Sequence, residues 1–158
     1  MFERFTESAI KVLMLAQEEV RRLGQDSCGT EHIFLGLVGL GKGVASDKLK
    51  KGGITLSKAR KAVEEMLAPS YAVAVKRPWW QNFFGPFKEI PFTPRAKLCV
   101  EFAWDEAQKL RVDYIGTEHL LLALIRLAEE NKFEMLRRLN LDSSKLRESL
   151  IAAIKPKD

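Results

Sequence analysis

The tetrapeptide Gly-Thr-Glu-His occurs twice, at Gly29–His32 and Gly116–His119, and each copy runs into an apolar stretch, "IFLGL" and "LLLAL". The carboxylate could hold a guanidinium, and the imidazole could move a proton or ligate a metal. Metal and nucleophile chemistry both need further partners. His32 and His119 have no second histidine or cysteine at ligand spacing, and no nucleophile is spaced against a base. The pattern therefore implies no catalytic residue, no metal ligand and no cofactor. Two readings stand for Glu31 and Glu118. One is scaffolding: glycine turns the chain, Thr30 or Thr117 caps a helix, and the first-turn acid meets the positive end of the helix dipole, worth roughly 0.3–1 kcal/mol. The other is a ligand-binding carboxylate. The histidines are expected in the same first turn, hydrogen-bonded to a neighbouring helix.

These copies sit inside a longer repeat. A constant shift of 87 residues superposes Thr6 on Thr93, Ala9 on Ala96, Glu19 on Glu106, Leu23 on Leu110, Leu35 on Leu122, Leu49 on Leu136 and Arg60 on Arg147. It holds without a gap from Thr6 to Leu67, which marks a tandem duplication. Each unit reads as four helices. Ala9, Val12, Leu13, Ala16, Val20 and Leu23 share one helical face. Thr6 caps it, with Phe5 placed to staple onto Ile10. Thr93 caps the second copy, and Pro94 takes the first helical position. Gly24 is a stop for the first copy; Arg111 stands in its place in the second, so a different exit is expected there. The GTEH helix is apolar nearly all round and should be central. "VASDKLKK" reads as a third helix ended by Gly52–Gly53, and "SKARKAVEEML" as a fourth, capped by Thr55 or Ser57. Their counterparts fall at Lys132 to Arg138 and Asp142 to Ile154. The expected fold is all-α, two tandem four-helix repeats related by a pseudo-twofold axis. Each unit is too small to bury much alone, so the two should share one core.

Composition narrows the classes. The chain has 158 residues, is 46% hydrophobic and 30% charged, and carries a net charge of +5. That favours a packed domain over disorder and allows an acidic partner without requiring nucleic acid. Arg21–Arg22, Lys50–Lys51, Arg137–Arg138 and the terminal "KPKD" are scattered, not gathered in one stripe. Cys28 and Cys99 lack CxxC partners and superpose on Ile115 and Val12, so buried, inert thiols in a reducing compartment are expected. No apolar run reaches the length of a membrane span, and the first residues lack a signal-peptide stretch.

The segments "MFERFTESAIKVLMLAQEEVRRLG", "GTEHIFLGL", "IPFTPRAK" and "YIGTEHLLLALIR" together resemble the amino-terminal domain of ClpC-type Clp unfoldases. The resemblance covers the chain except its middle segment. It implies a non-catalytic double repeat of eight helices that docks adaptors and substrates. Its partners would be a Clp ATPase or the Clp protease core, in the cytoplasm or the chloroplast stroma. It is also similar to stand-alone plastid ClpT proteins. No GxxxxGK[ST] phosphate loop is present; "GLGKGVAS" lacks the hydroxyl residue after its lysine. Two departures favour a free-standing relative over an unfoldase's detached amino-terminal domain. One is the long aromatic middle segment, and the other is "RLAEENKFEML" where a glycine-rich turn is usual. A basic binder of nucleic acid or acidic surfaces is the remaining class.

The resemblance also implies sites. Certain members bind phosphorylated arginine at two symmetric positions near the GTEH glutamate. Such a ligand offers a guanidinium to Glu31 or Glu118, and a phosphate to hydroxyls, backbone N–H groups and basic side chains. Thr6, Thr93, Arg4 and Arg95 would supply the latter if the two helix starts meet. The expected boundaries are 1–68 for the first repeat, 69–91 for a connector and 92–158 for the second repeat, within one domain. Trp79, Trp80, Phe83, Phe84 and Phe87 cluster in that connector among Pro78, Gly85 and Pro86. They either cover the groove between the repeats or form a docking patch rimmed by Lys76, Arg77 and Lys88.

Overall fold

The structure, a computed structural model, describes residues 3–67 and 90–154. Among those residues there are eight helices: α1 Glu7–Arg22, α2 Thr30–Leu40, α3 Val44–Lys51, α4 Leu56–Met66, α5 Pro94–Lys109, α6 Thr117–Glu129, α7 Met135–Arg138 and α8 Ser143–Ile154. The all-α expectation holds. The alternating "YAVAVK" stretch lies outside the described residues.

Threonine caps start three of the helices. The hydroxyls of Thr6, Thr55 and Thr93 accept from the backbone N–H groups of Ala9, Lys58 and Ala96. Pro94 occupies the first position of α5, where an N–H would have no partner anyway. Phe5 is buried and bridges to Ile115 in the other repeat, while its expected staple partner Ile10 is 39% exposed. The expected helix over Lys132 to Arg138 is shorter. Asn131 takes a left-handed φ of 59° and the Lys132 N–H still bonds the Leu127 carbonyl, so the chain is leaving α6 there and α7 begins at Met135.

The two long first helices leave alike, contrary to the expectation from Arg111. Gly24 has φ 65° and Arg111 has φ 60°. Gln25 donates to the Val20 carbonyl and Val112 to Ala107, the same closing bond in both repeats. The geometry of the exit is set by the packing around it. Arginine accepts a conformation that strains an L-residue by about 1–2 kcal/mol.

α2 is central, as its composition predicts. Ile33, Phe34, Leu35 and Leu37 are fully buried, and α2 packs on α1, α3, α4, α5 and α6. Its crossing with α1 is close enough that a Cβ on Gly36 would run into the Val12 carbonyl. One apolar cluster runs through both repeats, from Phe5 to Leu150. The symmetry shows in the pairing. Phe5 bridges to Ile115 and Phe92 bridges to Cys28, and each residue of one bridge is the 87-shifted counterpart of a residue in the other. The repeats therefore clasp each other across a pseudo-twofold axis. Ion pairs to a buried glutamate repeat likewise. Glu19 accepts from Arg60 at 2.6 Å and from Arg22 at 2.7 Å, and Glu106 accepts from Arg147 at 3.3 Å.

Candidate functional site

The GTEH tetrad is a helix start, with roles shifted by one residue from the sequence expectation. Gly29 and Gly116 are the caps, not Thr30 and Thr117, which are the first residues of α2 and α6. Glycine is suited here by a close approach. A Cβ on Gly29 would lie 2.6 Å from Oε1 of Glu31, and one on Gly116 would lie 2.5 Å from Oε1 of Glu118. Each carboxylate thus folds back over its own cap. Thr30 Oγ1 and Thr117 Oγ1 sit 3.5 Å from the neighbouring glutamate Oε2.

The histidines serve their own helix, not a neighbour. Gly29 N–H donates to His32 Nδ1, and Gly116 N–H to His119 Nδ1, both at 2.9 Å. Imidazole fills the place that Glu or Gln takes in a capping box. An accepting Nδ1 puts the proton on Nε2, and neither buried Nε2 has a hydrogen-bond partner among the described residues. Burial holds both histidines below the ordinary range, against the pull of Glu31 and Glu19 on His32 and of Glu118 and Glu106 on His119. The imidazoles are committed to structure, and no metal-holding cluster of His, Cys, Asp or Glu exists among the described residues.

The helix starts of opposite repeats do come together. Cys28 N–H donates to the Pro91 carbonyl at 2.8 Å, and Thr93 N–H to Cys28 at 2.9 Å. The mirrored pair is Ile115 to Arg4 at 2.7 Å and Thr6 to Ile115 at 2.9 Å. Each GTE segment therefore lies beside the first turn of the other repeat's leading helix. Between the starts of α2 and α5 is an open cleft of about 370 Å³, lined by Gly29, Thr30, Glu31, Thr93, Pro94 and Arg95. Of the first-turn groups, Pro94 has no N–H, and those of Ala96 and His32 are taken by Thr93 Oγ1 and the Gly29 carbonyl, which leaves the N–H groups of Thr30, Glu31 and Arg95 without an intrahelical acceptor.

Arg95 is the telling residue of this cleft. It is exposed and occupies the second position of α5, at the positive end of the helix dipole, and no acid accompanies it in that turn. A cation there is disfavoured by roughly 0.3–1 kcal/mol. Its Nη1 reaches the Lys132 carbonyl at 3.4 Å, a long, exposed hydrogen bond within the second repeat. Of the six residues expected to bind a ligand, Glu31, Thr93 and Arg95 share the cleft. Thr6 and Glu118 take the mirrored position, where Thr6 N–H holds Ile115 just ahead of Gly116. Arg4 goes elsewhere, its guanidinium 4.3 Å from the centre of the Trp104 ring. Sequence reasoning had no signal for the Lys132 carbonyl, a backbone group. Trp79, Trp80, Phe83, Phe84 and Phe87 lie outside the described residues.

Cys28 and Cys99 are buried free thiols, each pushed up to about 12 by burial, with Glu31 adding to the shift at Cys28. That matches the expectation of inert cysteines. Of the basic pairs, Arg22 is tied to Glu19 and Glu64, and Arg137 and Arg138 both face Glu134.

The Clp repeat (R) N-terminal domain family model matches residues 4–139 and again residues 91–158. The chain belongs to the Clp repeat N-terminal domain family. It is 51% identical over 152 residues to the "ATP-dependent Clp protease ATP-binding subunit ClpA homolog" of Guillardia theta, covering 96% of this chain and 17% of that protein. It is 48% identical over 155 residues to "Chaperone protein ClpC1, chloroplastic" of Arabidopsis thaliana, covering 98% of this chain and 15% of that one. The chain thus spans about a sixth of the length of these relatives. In structure it is similar to the N-terminal domain of the caseinolytic protease associated chaperone ClpD of Arabidopsis thaliana, with TM-score 0.76, 26% identity, and 98% and 100% of the two chains covered. The Hsp104 N-terminal domain of Candida albicans shares the fold at TM-score 0.68 and 18% identity, over 96% of this chain and 91% of that one. Among the described residues no helix of this Clp N-terminal repeat chain is long and apolar enough to cross a membrane.

Proposed function

We propose that the chain is a protein-docking module of the Clp protease system with no catalysis of its own. It presents substrates or adaptors to a Clp ATPase, or steadies the ATPase–protease assembly. The supporting observation is the Glu31 cleft, where an acid from one repeat and a base from the other flank two helix N-termini. Opposite charges at one mouth suit a side chain bearing both a guanidinium and a phosphate, that is, phosphorylated arginine in a substrate. Trp79, Trp80, Phe83, Phe84 and Phe87 are a second docking element in this reading. In this reading the chain works in the chloroplast stroma or the cytoplasm, and the relatives named chloroplastic support the chloroplast.

The test is titration of the intact chain with a phosphoarginine peptide. Glu31→Ala should lose binding with a change in melting no larger than a first-turn dipole contact, roughly 0.3–1 kcal/mol. Retained affinity together with a larger stability loss would return Glu31 to scaffolding. Deleting residues 79–87 should leave the melting temperature unchanged and weaken capture of a Clp ATPase or protease core. A second reading is the amino-terminal domain of a longer unfoldase, favoured by the short share of its relatives that the chain spans. Reading the coding frame beyond Asp158 decides between them.

A further inference from the structure

The duplication sets Glu118 beside Thr6 as it sets Glu31 beside Thr93, and the 87-residue shift names the residues around it. Gly116, Thr117 and Glu118 stand for Gly29, Thr30 and Glu31, and Thr6 stands for Thr93. The remaining two residues differ in charge. Glu7 stands where the first cleft has Pro94, and Ser8 stands where it has Arg95. The Glu31 cleft therefore pairs one acid with one base, while the Glu118 position gathers two acids and a hydroxyl. An exposed cation, Lys42, adjoins Gly43, whose Cβ would lie 3.6 Å from Thr117 Oγ1, and it stands against the two acids. The Arg4 guanidinium, on the residue matching Pro91, is stacked on Trp104. The surroundings also diverge: Tyr114, 41% exposed and edge-on to the His119 ring at 5.7 Å, takes the place of Ser27. Arg95 stands against its own helix dipole with one long hydrogen bond, 3.4 Å, to the Lys132 carbonyl, and an anion in the cleft would offset that dipole cost.

We propose that the two positions are not equivalent. The Glu31 cleft takes a group carrying both a cation and an anion, with Arg95 as the specificity-determining residue, and the Glu118 position admits cations and turns phosphate away. This rests on the reading of the Glu31 cleft as a ligand site.

Calorimetric titration of the intact chain with phosphoarginine, with melting followed in parallel, tests it. One site per chain is expected, lost in Glu31→Ala and kept in Glu118→Ala. Arg95→Ser should weaken binding at least about tenfold without lowering the melting temperature. Glu7→Pro with Ser8→Arg should create a second site that Glu118→Ala then removes. Two sites of equal affinity in the unaltered chain, or equal losses from Glu31→Ala and Glu118→Ala, would overturn the inequivalence and leave the ligand reading intact. No binding by a folded chain would overturn both.

Discussion

Acid should unlatch this fold through its two capping histidines before its carboxylates titrate. His32 and His119 are almost wholly buried, and each receives the N–H of its own cap glycine on Nδ1. A protonated imidazole has no acceptor nitrogen, so charging either ring removes the capping bond and buries a cation. Burial keeps both below the ordinary range near 6.5. The unfolded chain thus binds protons first as pH falls. The stability contributed by the neutral rings is fully present above about pH 6.5 and is lost below it. Each ring contributes a slope of up to about 1.4 kcal/mol per pH unit, so from pH 7.5 to 5.5 the two together remove up to about 2.7 kcal/mol. For a chain of this size that is about 5–10 °C of melting temperature. Glu19 is held below its ordinary range: burial raises it, and the hydrogen bonds from Arg60 and Arg22 outweigh that. Its stabilisation is lost only at lower pH, outside this window. The assay is thermal melting by circular dichroism across pH 7.5 to 5.5, repeated on the double variant His32→Gln, His119→Gln. Glutamine keeps the capping bond and does not titrate. A flat profile in the unaltered chain, or an equal slope in the double variant, would refute the reasoning.

Three further outcomes follow from the packing. Arg111→Gly should raise stability by roughly 0.5–1 kcal/mol in chemical denaturation, because relief of the left-handed strain exceeds the added unfolded-state entropy. Gly36→Ala should destabilise by about 1–3 kcal/mol, since its Cβ meets the Val12 carbonyl, whereas the second repeat already carries Ala123 at that position. Glu19→Gln should lower the melting temperature more than Glu106→Gln, because Glu19 holds two arginines at 2.6 and 2.7 Å and Glu106 holds Arg147 at 3.3 Å.

The helices and the duplication were legible because both are periodic. The apolar face of α1 and the threonine caps depend on residues at most four apart, and a fixed shift survives any folding detail. What was misread depends on contacts with no local signature. Gly29 looked like a turn and Thr30 like the cap, yet the cap is Gly29, and it is glycine because the Glu31 carboxylate folds back over it. Arg111 argued for a new exit by propensity alone, yet it takes the left-handed φ and Val112 makes the same closing bond as Gln25. His32 was expected to reach a neighbouring helix, whereas its Nδ1 takes the N–H of Gly29 three residues back, the place Glu or Gln fills in a capping box. The Glu19–Arg60 pair was present in the sequence as two matches at one shift, Glu19 with Glu106 and Arg60 with Arg147; a charge pair kept together in both repeats is the signal that could have found it.

Neither repeat can make the cleft alone. Glu31 comes from the first and Arg95 from the second, and they are neighbours only because Cys28 pairs with Phe92. The mirrored bridge of Phe5 with Ile115 builds the opposite position from the complementary halves. A duplication with this swapped clasp yields two sites at once, each drawing its acid from one copy and its facing turn from the other. Every substitution in one copy's leading helix therefore alters only one site. Ser8 and Arg95 have diverged in that way while the core positions beneath them, Ala9 and Ala96, stayed the same. The fold constrains the buried alanines through packing density and leaves the adjacent residue, half-buried Ser8 or exposed Arg95, free to differ. That freedom is the physical route by which one scaffold carries two surfaces of different charge.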